Sequence, residues 1–324
     1  MAAIAVPWLE VPIRTQPGVT TTLRDLTVVI ATYNSSAFIR DTIASALACA
    51  PATVIIADDA SADDTLSVVR SSFTSPAPNL ILLTAPKNIG LTRNWNRAIQ
   101  QVDTAYCLKL DHDDLALPAY VREAIQFMRT SEDVAIIAGR AGDIPDGVAL
   151  DSLLDRTPEP GCITRLAGTA ACRMVLDWAP YPCSSSTIYR TAAWREVGGF
   201  DTRLSYCNDR EIWFRLAARR PIAFCNDVGA LVRIHESNYT KEILASERVP
   251  YECEHMFRSA YTIWRGTGVD RAFAGKFRAV AKNYIGSALR VAAARPIEVP
   301  ARLYAACRTM AQSIVVEALA RFQS

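Results

Sequence analysis

The chain lacks most of the features that mark a cysteine-based metal centre, an export route or a membrane anchor. Its nine cysteines form no Cys-x-x-Cys pair and no ligand-like spacing, and only three histidines occur in 324 residues. The common cysteine and histidine metal sites are therefore excluded. An odd, dispersed set of cysteines reads as reduced thiols, which points to the cytoplasm. The first residues carry no basic segment leading into a long apolar core, so no secretory signal is expected. No apolar run approaches the roughly 18 to 20 residues that span a bilayer. The net charge of +2 gives no global case for nucleic-acid binding, and there is no internal repeat or low-complexity tract. A glycine-rich turn is missing too. The first predicted strand is followed by Thr32-Tyr33-Asn34-Ser35-Ser36, which excludes a nicotinamide-dependent dehydrogenase.

What is present is an ordinary globular composition, 50% hydrophobic and 21% charged, long enough for one large α/β domain with an appendage. The charge is uneven. Residues 265–324 hold ten Lys/Arg against Asp270, Glu298 and Glu317, so this segment is +7 and the remainder −5. Such a basic end could lie on an anionic membrane surface, or be a solvated face packed on the rest of the protein.

The first half alternates apolar runs with helical periodicity. Strands are predicted over 26–31, 53–57, 80–83 and 105–110, with helices over 35–50, 64–73 and 91–102 between them, all read from the apolar spacing. Continuous apolar strands joined by helices imply a parallel sheet covered on both faces. A helix over 119–129 and a strand over 134–138 follow. Residues 140–182, richer in Gly, Pro and Asp, read as a variable lid or acceptor-side segment. Further on, the pattern predicts a strand over 185–189, helices over 191–197 and 208–218 and a strand region over 222–234. From Glu252 it is helical, with Phe273, Phe277, Val280 and Tyr284 on one apolar face and Leu303, Cys307, Met310 and Ile314 on another.

In such sheets ligands bind beyond the carboxyl ends of the strands. The polar groups there are Thr32-Tyr33-Asn34, Asp58-Asp59 and Asp111-His112-Asp113-Asp114, and they are expected to converge on one crevice. Three carboxylates on one turn repel each other, so a fold tolerates them best around a cation or a charged substrate. Asp-x-Asp spacing suits Mg²⁺ or a similar hard ion that keeps positions open for phosphate oxygens. The plainer reading is a solvated turn that caps the helix starting near Pro118. Asp59 can accept the imide N–H of a uracil or thymine ring. Ser61 and Asp64 have capping-box spacing. Asn88 and Gly90 mark a turn, and Arg93, near a helix start, is placed to approach a phosphate. Asp209, near the first turn of another helix, is either a dipole-stabilised cap or a general base for an acceptor hydroxyl. His235 ends the strand region at Arg233-Ile234-His235 and can reach a metal or phosphate.

The ordered set ATYN (31–34), ADDASADDT (57–65), NIGLTRNWNRAI (88–99), LDHDDLALP (110–118), GGFD (198–201), NDREIWFRL (208–216) and RIH (233–235) resembles the family 2 glycosyltransferases with the GT-A fold. The resemblance covers residues 26 to 240, about two-thirds of the chain. It implies an α/β GT-A domain, a Rossmann-like mixed sheet flanked by helices, with a helical C-terminal extension. The expected boundaries are 1–24 for an N-terminal extension, 25–245 for the catalytic domain (25–115 nucleotide-binding, 116–245 acceptor-side) and 246–324 for the helical region. It also implies inverting transfer from a nucleotide-diphosphate sugar with Mg²⁺ or Mn²⁺. Asp59 would contact the base, Asp111 the ribose side and Asp113 the metal, with Asp209 as the base and His235 as a metal or diphosphate contact. Thr32, Tyr33, Asn34, Asn88 and Arg93 complete the donor set. The partners expected are a UDP- or dTDP-sugar and an acceptor glycan or lipid-linked sugar, in cell-surface polysaccharide or glycolipid synthesis. Two departures stand out: the usual Glu-Asp pair is Asn208-Asp209, and the Gln-x-x-Arg-Trp signature of processive polymerases is absent, which favours single-sugar addition. A sugar nucleotidyltransferase or a non-catalytic sugar-nucleotide-binding protein are the alternatives.

Overall fold

Apolar runs and helical periodicity become a regular strand–helix alternation in the computed structural model, which describes residues 22–73, 79–144, 148–155, 163–177, 182–235, 243, 248–291 and 299–322. Strand β1 (Leu23–Thr32) leads to α1 (Ile39–Ala48), β2 (Pro51–Asp58) to α2 (Thr65–Ser72), β3 (Asn79–Thr84) to α3 (Leu91–Ile99), and β4 (Tyr106–Asp111) to the acidic turn. Next come β5 (Leu115–Ala116), α4 (Pro118–Thr130), β6 (Ile136–Asp143), α5 (Leu150–Leu154), β7 (Ile163–Leu166) and α6 (Gly168–Asp177). A 3₁₀ turn (Ser184–Ser186), β8 (Ile188–Arg190), α7 (Thr191–Glu196), α8 (Asn208–Ala217) and β9 (Ile222–Val232) follow, then the helices α9 (Arg248–Trp264), α10 (Asp270–Val291) and α11 (Val299–Phe322).

The nine strands form one sheet in the order β3-β2-β1-β4-β8-β6-β9-β5, with β7 also paired to β9. Strands β3, β2, β1 and β4 are parallel, as their uninterrupted apolar character predicts. Beyond β4 the sheet is mixed: β8 runs antiparallel to β4 and β6, and β5 and β7 run antiparallel to β9, whereas β6 and β9 are parallel. Both faces of the parallel half are buried. Leu26, Val28 and Ile30 pack with Ile39, Ile43, Val121, Ile125 and Met128, and the alternate residues Val29 and Ile55 are equally inaccessible.

Residues 140–182, read as a variable lid or acceptor-side segment, hold regular elements that the pattern did not reveal: β6 extends to Asp143, and α5, β7 and α6 lie in this stretch. Those elements are only 4 to 10 residues long, too short to show a period between Gly and Pro. The strand read over 185–189 is displaced to 188–190. The hydroxyls of Ser186 and Thr187 donate to the Cys183 carbonyl at 2.9 and 3.0 Å, and such local bonds compete with a strand ladder.

By their contacts the residues fall into two units that do not follow chain order. The first comprises the chain up to Ala167 with Trp178–Gly199 and Arg220–Ile234; the second comprises Gly168–Asp177, Phe200–Arg219 and His235 onward. In the second, Phe273, Phe277, Val280 and Tyr284 are buried as expected. The face read for α11 is reversed. Leu303 is 43% and Ile314 64% exposed, Cys307 is exposed, and the buried face is Arg302, Ala305, Ala306, Thr309, Ser313 and Val316. Small residues let backbones approach closely, and the Ser313 hydroxyl reaches across to donate to the Ala274 carbonyl of α10 at 2.8 Å.

Candidate active site

The carboxyl ends of β1, β2 and β4 lie side by side, because Thr32 pairs with Asp58 and Ala31 with Asp111 in the ladder. Thr32, Tyr33, Asn34, Asp58, Asp59 and the acidic turn are thereby brought to one sheet edge, as the strand-end rule predicts. The loops after β1 and β2 latch each other. The Ser61 hydroxyl accepts from the Asn34 N–H at 2.9 Å, and the Asn34 side-chain oxygen accepts from the Ala62 N–H at 2.8 Å. Asn34 (φ 49°) and Ala60 (φ 63°) both adopt left-handed backbone, a conformation costing a non-glycine residue roughly 1–2 kcal/mol. The capping-box reading of Ser61 and Asp64 is not realised. Asp64 makes no side-chain cap to α2; instead Asp63 accepts from the Thr65 N–H at 3.0 Å.

Asp59 is 2% exposed, and its two oxygens accept the backbone N–H groups of Ile89 and Gly90 at 2.8 and 2.9 Å. It therefore anchors the 88–90 turn from beneath, while each carboxylate oxygen retains a second lone pair. The Asn88 side chain accepts from the Gly90 N–H at 3.0 Å. Arg93 is exposed in the first turn of α3, next to the buried Thr92 and Asn94. Thr32 is buried with its hydroxyl against that of Ser35, whereas Tyr33 is 45% exposed and presents its ring at this edge.

The acidic turn is held by groups that the motif reading did not single out. Lys109, 3% exposed, donates to Asp111 Oδ1 and to the Ser184 hydroxyl, both at 2.8 Å, and its ammonium lies 4.4 Å from the centre of the Trp95 ring. The Ser185 hydroxyl lies 2.8 Å from Asp111 Oδ2 and 2.5 Å from Asp114 Oδ2. Arg233 closes the turn from the end of β9. Its N–H donates to Asp114 Oδ1 at 3.1 Å, and its guanidinium donates to the Asp113 carbonyl and to Asp41, both at 3.2 Å. The sequence signals for these groups were a lysine in the apolar strand Cys107-Leu108-Lys109-Leu110 and the run Ser184-Ser185-Ser186.

This arrangement separates the carboxyls of Asp111 and Asp114 electrostatically. Burial alone would raise Asp111, but the Lys109 charge and hydrogen bond hold it below its ordinary value, with Ser185 adding to the effect. Asp114 is pushed up to about 8, first by burial and then by the charges of Asp111 and Asp113. A protonated Asp114 can donate to Ser185, which then donates to Asp111. Like-charge repulsion is thus expressed in the fold, as the sequence anticipated. The donors are hard carboxylate oxygens, which suit Mg²⁺ or Mn²⁺. Among the described residues no group of three or more His, Cys, Asp or Glu side chains forms a ready cage. An ion here would be completed by phosphate and water oxygens, the habit of Mg²⁺.

In the second unit Asp209 sits half-buried in the first turn of α8, with Glu211 also in that turn. The loop before it is clamped by Glu252 of α9, whose carboxylate accepts the N–H groups of Ser205 and Tyr206 at 2.9 and 2.7 Å. Arg210, the residue after Asp209, donates to the carbonyls of Val175 and Leu176. His235 is half-buried, three residues past β9.

A sheet of this order, with polar loops at the carboxyl edge of its parallel half and an acidic turn after β4, fits the GT-A fold that the sequence resemblance implied. The model of the family described as glycosyl transferase family 2 matches residues 27–198, and the chain belongs to that family; it is a glycosyltransferase. Asp209 and His235 lie beyond the matched residues. An uncharacterized glycosyltransferase of Rickettsia typhi is 23% identical over 227 residues, 68% of this chain and 67% of the relative. Staphylococcus aureus TarS (residues 1–349, with UDP-GlcNAc) superimposes with a TM-score of 0.54 at 18% identity, covering 90% of each chain. The mannosyltransferase PcManGT of Pyrobaculum calidifontis, in complex with GDP-Man and Mn²⁺, gives 0.59 at 16% identity over 94% of this chain and 90% of that one. These two likenesses establish the fold.

Proposed function

We propose that the chain transfers a single sugar from a nucleotide-diphosphate donor, UDP- or dTDP-linked, to a hydroxyl of an acceptor glycan or lipid-linked sugar, with inversion at the anomeric carbon. The observation that carries this reading is the acidic turn Asp111–Asp114, fixed by Lys109, Ser185 and Arg233 at the carboxyl edge of the parallel strands. TarS is held with UDP-GlcNAc and PcManGT with GDP-Man and Mn²⁺, which supports a donor of this chemical kind.

In this reading the Tyr33 ring and Asp59 receive the base, Asp111 faces the ribose side, and Arg93 faces the diphosphate. Asp113 would hold Mg²⁺ or Mn²⁺, with His235 as a further metal or diphosphate contact, and the chemistry supplied there would be positive charge against the leaving diphosphate. Thr32, Asn34 and Asn88 shape the loops around the donor. Asp209 accepts the proton of the attacking hydroxyl, so that one in-line displacement releases the nucleoside diphosphate. Thermal-shift titration with UDP-, dTDP- and GDP-sugars, each with and without Mn²⁺, tests the donor. Stabilisation by a uracil or thymine donor that grows with Mn²⁺ is expected; no response to any nucleotide sugar contradicts the reading.

A peripheral contact with anionic membrane is the second element of the proposal. It is favoured by exposed Arg265, Arg271 and Lys282, together with the exposed side chains of Leu303, Tyr304, Ile314 and Val315. No described helix is long and apolar enough to cross a membrane. Such a contact would bring the enzyme to lipid-linked acceptors in the synthesis of surface polysaccharide or glycolipid.

A further inference from the structure

Nine cysteines without a recognisable spacing read as inert thiols, yet the fold brings two of them together across 46 residues of sequence. Cys207, at the N-terminal boundary of α8, and Cys253 of α9 lie with sulfurs 3.6 Å apart. Within the pair, Cys207 is pushed up by its partner and by burial, as buried cysteines elsewhere are by burial. Burial pushes the thiols of Cys49, Cys172 and Cys183 up to about 12 and that of Cys107 higher still. Cys253, by contrast, is lowered, first by its hydrogen bond with the Cys207 thiol and then by the Arg210 guanidinium, against the opposing effects of burial and the Glu252 charge. Cys253 is also half-buried, whereas Cys207 is buried. The pair therefore joins a partly exposed cysteine to an enclosed one at sulfur–sulfur contact distance, the arrangement of an attacking and a resolving thiol.

We infer that Cys207 and Cys253 form a dithiol oxidation site, whose ligand class is the hydroperoxide and whose product is an intramolecular disulfide at the foot of the helix that carries Asp209. The Cys253 thiolate attacks the outer peroxide oxygen and breaks the O–O bond. This forms a sulfenic acid and releases the other half of the peroxide, which takes up a proton as water or an alcohol. The Cys207 sulfur then attacks the sulfenic sulfur, the S–O bond breaks, and hydroxide leaves with the Cys207 proton as water. Two thiols lose two electrons to one peroxide, and a dithiol reductant reverses the reaction.

The consequence follows from distance. A disulfide has its sulfurs about 2 Å apart, so closure draws them together by roughly 1.5 Å from the observed 3.6 Å. The backbone on either side has little slack. Glu252 holds the Ser205 and Tyr206 N–H groups, and Arg210 is tied to the end of α6. Displacing Asp209 by about 1 Å is enough to slow transfer on the order of 100-fold. This link to turnover rests on the proposed role of Asp209; formation of the disulfide does not.

The test treats the full-length reduced protein with hydrogen peroxide, then maps disulfides by mass spectrometry of a non-reduced digest and assays sugar transfer in parallel. The expected result is a Cys207–Cys253 cross-linked peptide and at least a ten-fold loss of transfer, both reversed by dithiothreitol. Cys253→Ser and Cys253→Ala are expected to lose the cross-link and the peroxide sensitivity. If peroxide oxidises exposed Cys307 while the 207 and 253 peptides remain separate and reduced, the dithiol site is overturned. A complete cross-link with undiminished transfer, or peroxide inhibition that persists in both Cys253 variants, overturns its coupling to turnover. Absence of transferase activity in the reduced protein would count against the proposed function, while the cross-link is scored without reference to activity.

Discussion

Lys109 carries a positive charge into a strand whose neighbours are all apolar, and its position explains how three adjacent carboxyls coexist. Its ammonium lies over the Trp95 ring and neutralises Asp111, leaving Asp114 to take a proton. Hydrogen bonds to charged groups contribute roughly 1.5–3 kcal/mol when fully buried. The partly exposed Asp111 reduces this, so Lys109→Met should lower stability by about 1–2 kcal/mol and weaken donor binding, because Asp111 is then held by Ser185 alone. Urea unfolding that shows a lower midpoint at constant slope, with a higher KM for the donor, would bear this out; unchanged values of both would refute it. Asp59 teaches a related lesson. Its position at the end of a strand was legible, but its bonds to Ile89 and Gly90 could not be read from sequence. Backbone N–H partners leave no signature in residue type.

At the scale of elements, the parallel half of the sheet was legible because its strands are apolar on both faces and separated by helices of readable period. In the second half β9 and the start of β6 were legible, whereas β5 and β7 were missed and β8 was displaced, since these three are 2 to 4 residues long and carry no period. The face of α11 was misread for a different reason. Leu303, Cys307, Met310 and Ile314 do share a stripe, but Ala305, Ala306, Thr309 and Ser313 fill the buried seam, and close helix packing selects small side chains over large ones. Two substitutions separate the faces. Ser313→Leu, in the seam, should destabilise by about 1–3 kcal/mol through overpacking. Ile314→Glu, 64% exposed at the wild-type residue, should change stability by no more than about 0.5 kcal/mol while reducing co-sedimentation with anionic vesicles. Equal binding of wild type and Ile314→Glu at low salt would remove the helix from any membrane contact.

Across the molecule, charge is concentrated rather than balanced, and the basic C-terminal segment is tied together by one buried acid. Glu254 of α9 accepts the Tyr284 hydroxyl of α10 at 2.7 Å and pairs with Arg258 at 2.7 Å and Arg308 of α11 at 2.8 Å. Burial opposes its charge, but these partners prevail and hold the carboxyl below its ordinary value. A lowered folded-state value means that the unfolded chain binds the proton more readily. Its contribution is therefore present above about pH 4.5, the unfolded range, and lost as the pH falls through the folded value. Glu254→Gln should cost about 1–2 kcal/mol at pH 7, discounted for the partly exposed arginines, and the difference from wild type should shrink in acid. A difference independent of pH would contradict the assignment.

If the acidic turn serves transfer of a sugar from a nucleotide diphosphate, the group that leaves the donor reveals it. Incubation of the enzyme with the stabilising nucleotide sugar, Mn²⁺ and an acceptor glycan should release nucleoside diphosphate in proportion to an inverted glycoside. That release should disappear in Asp113→Ala and in a folded Asp209→Asn protein, with only Asp113→Ala also losing metal-dependent donor binding. Release of pyrophosphate, or full turnover by Asp209→Asn, would contradict the account.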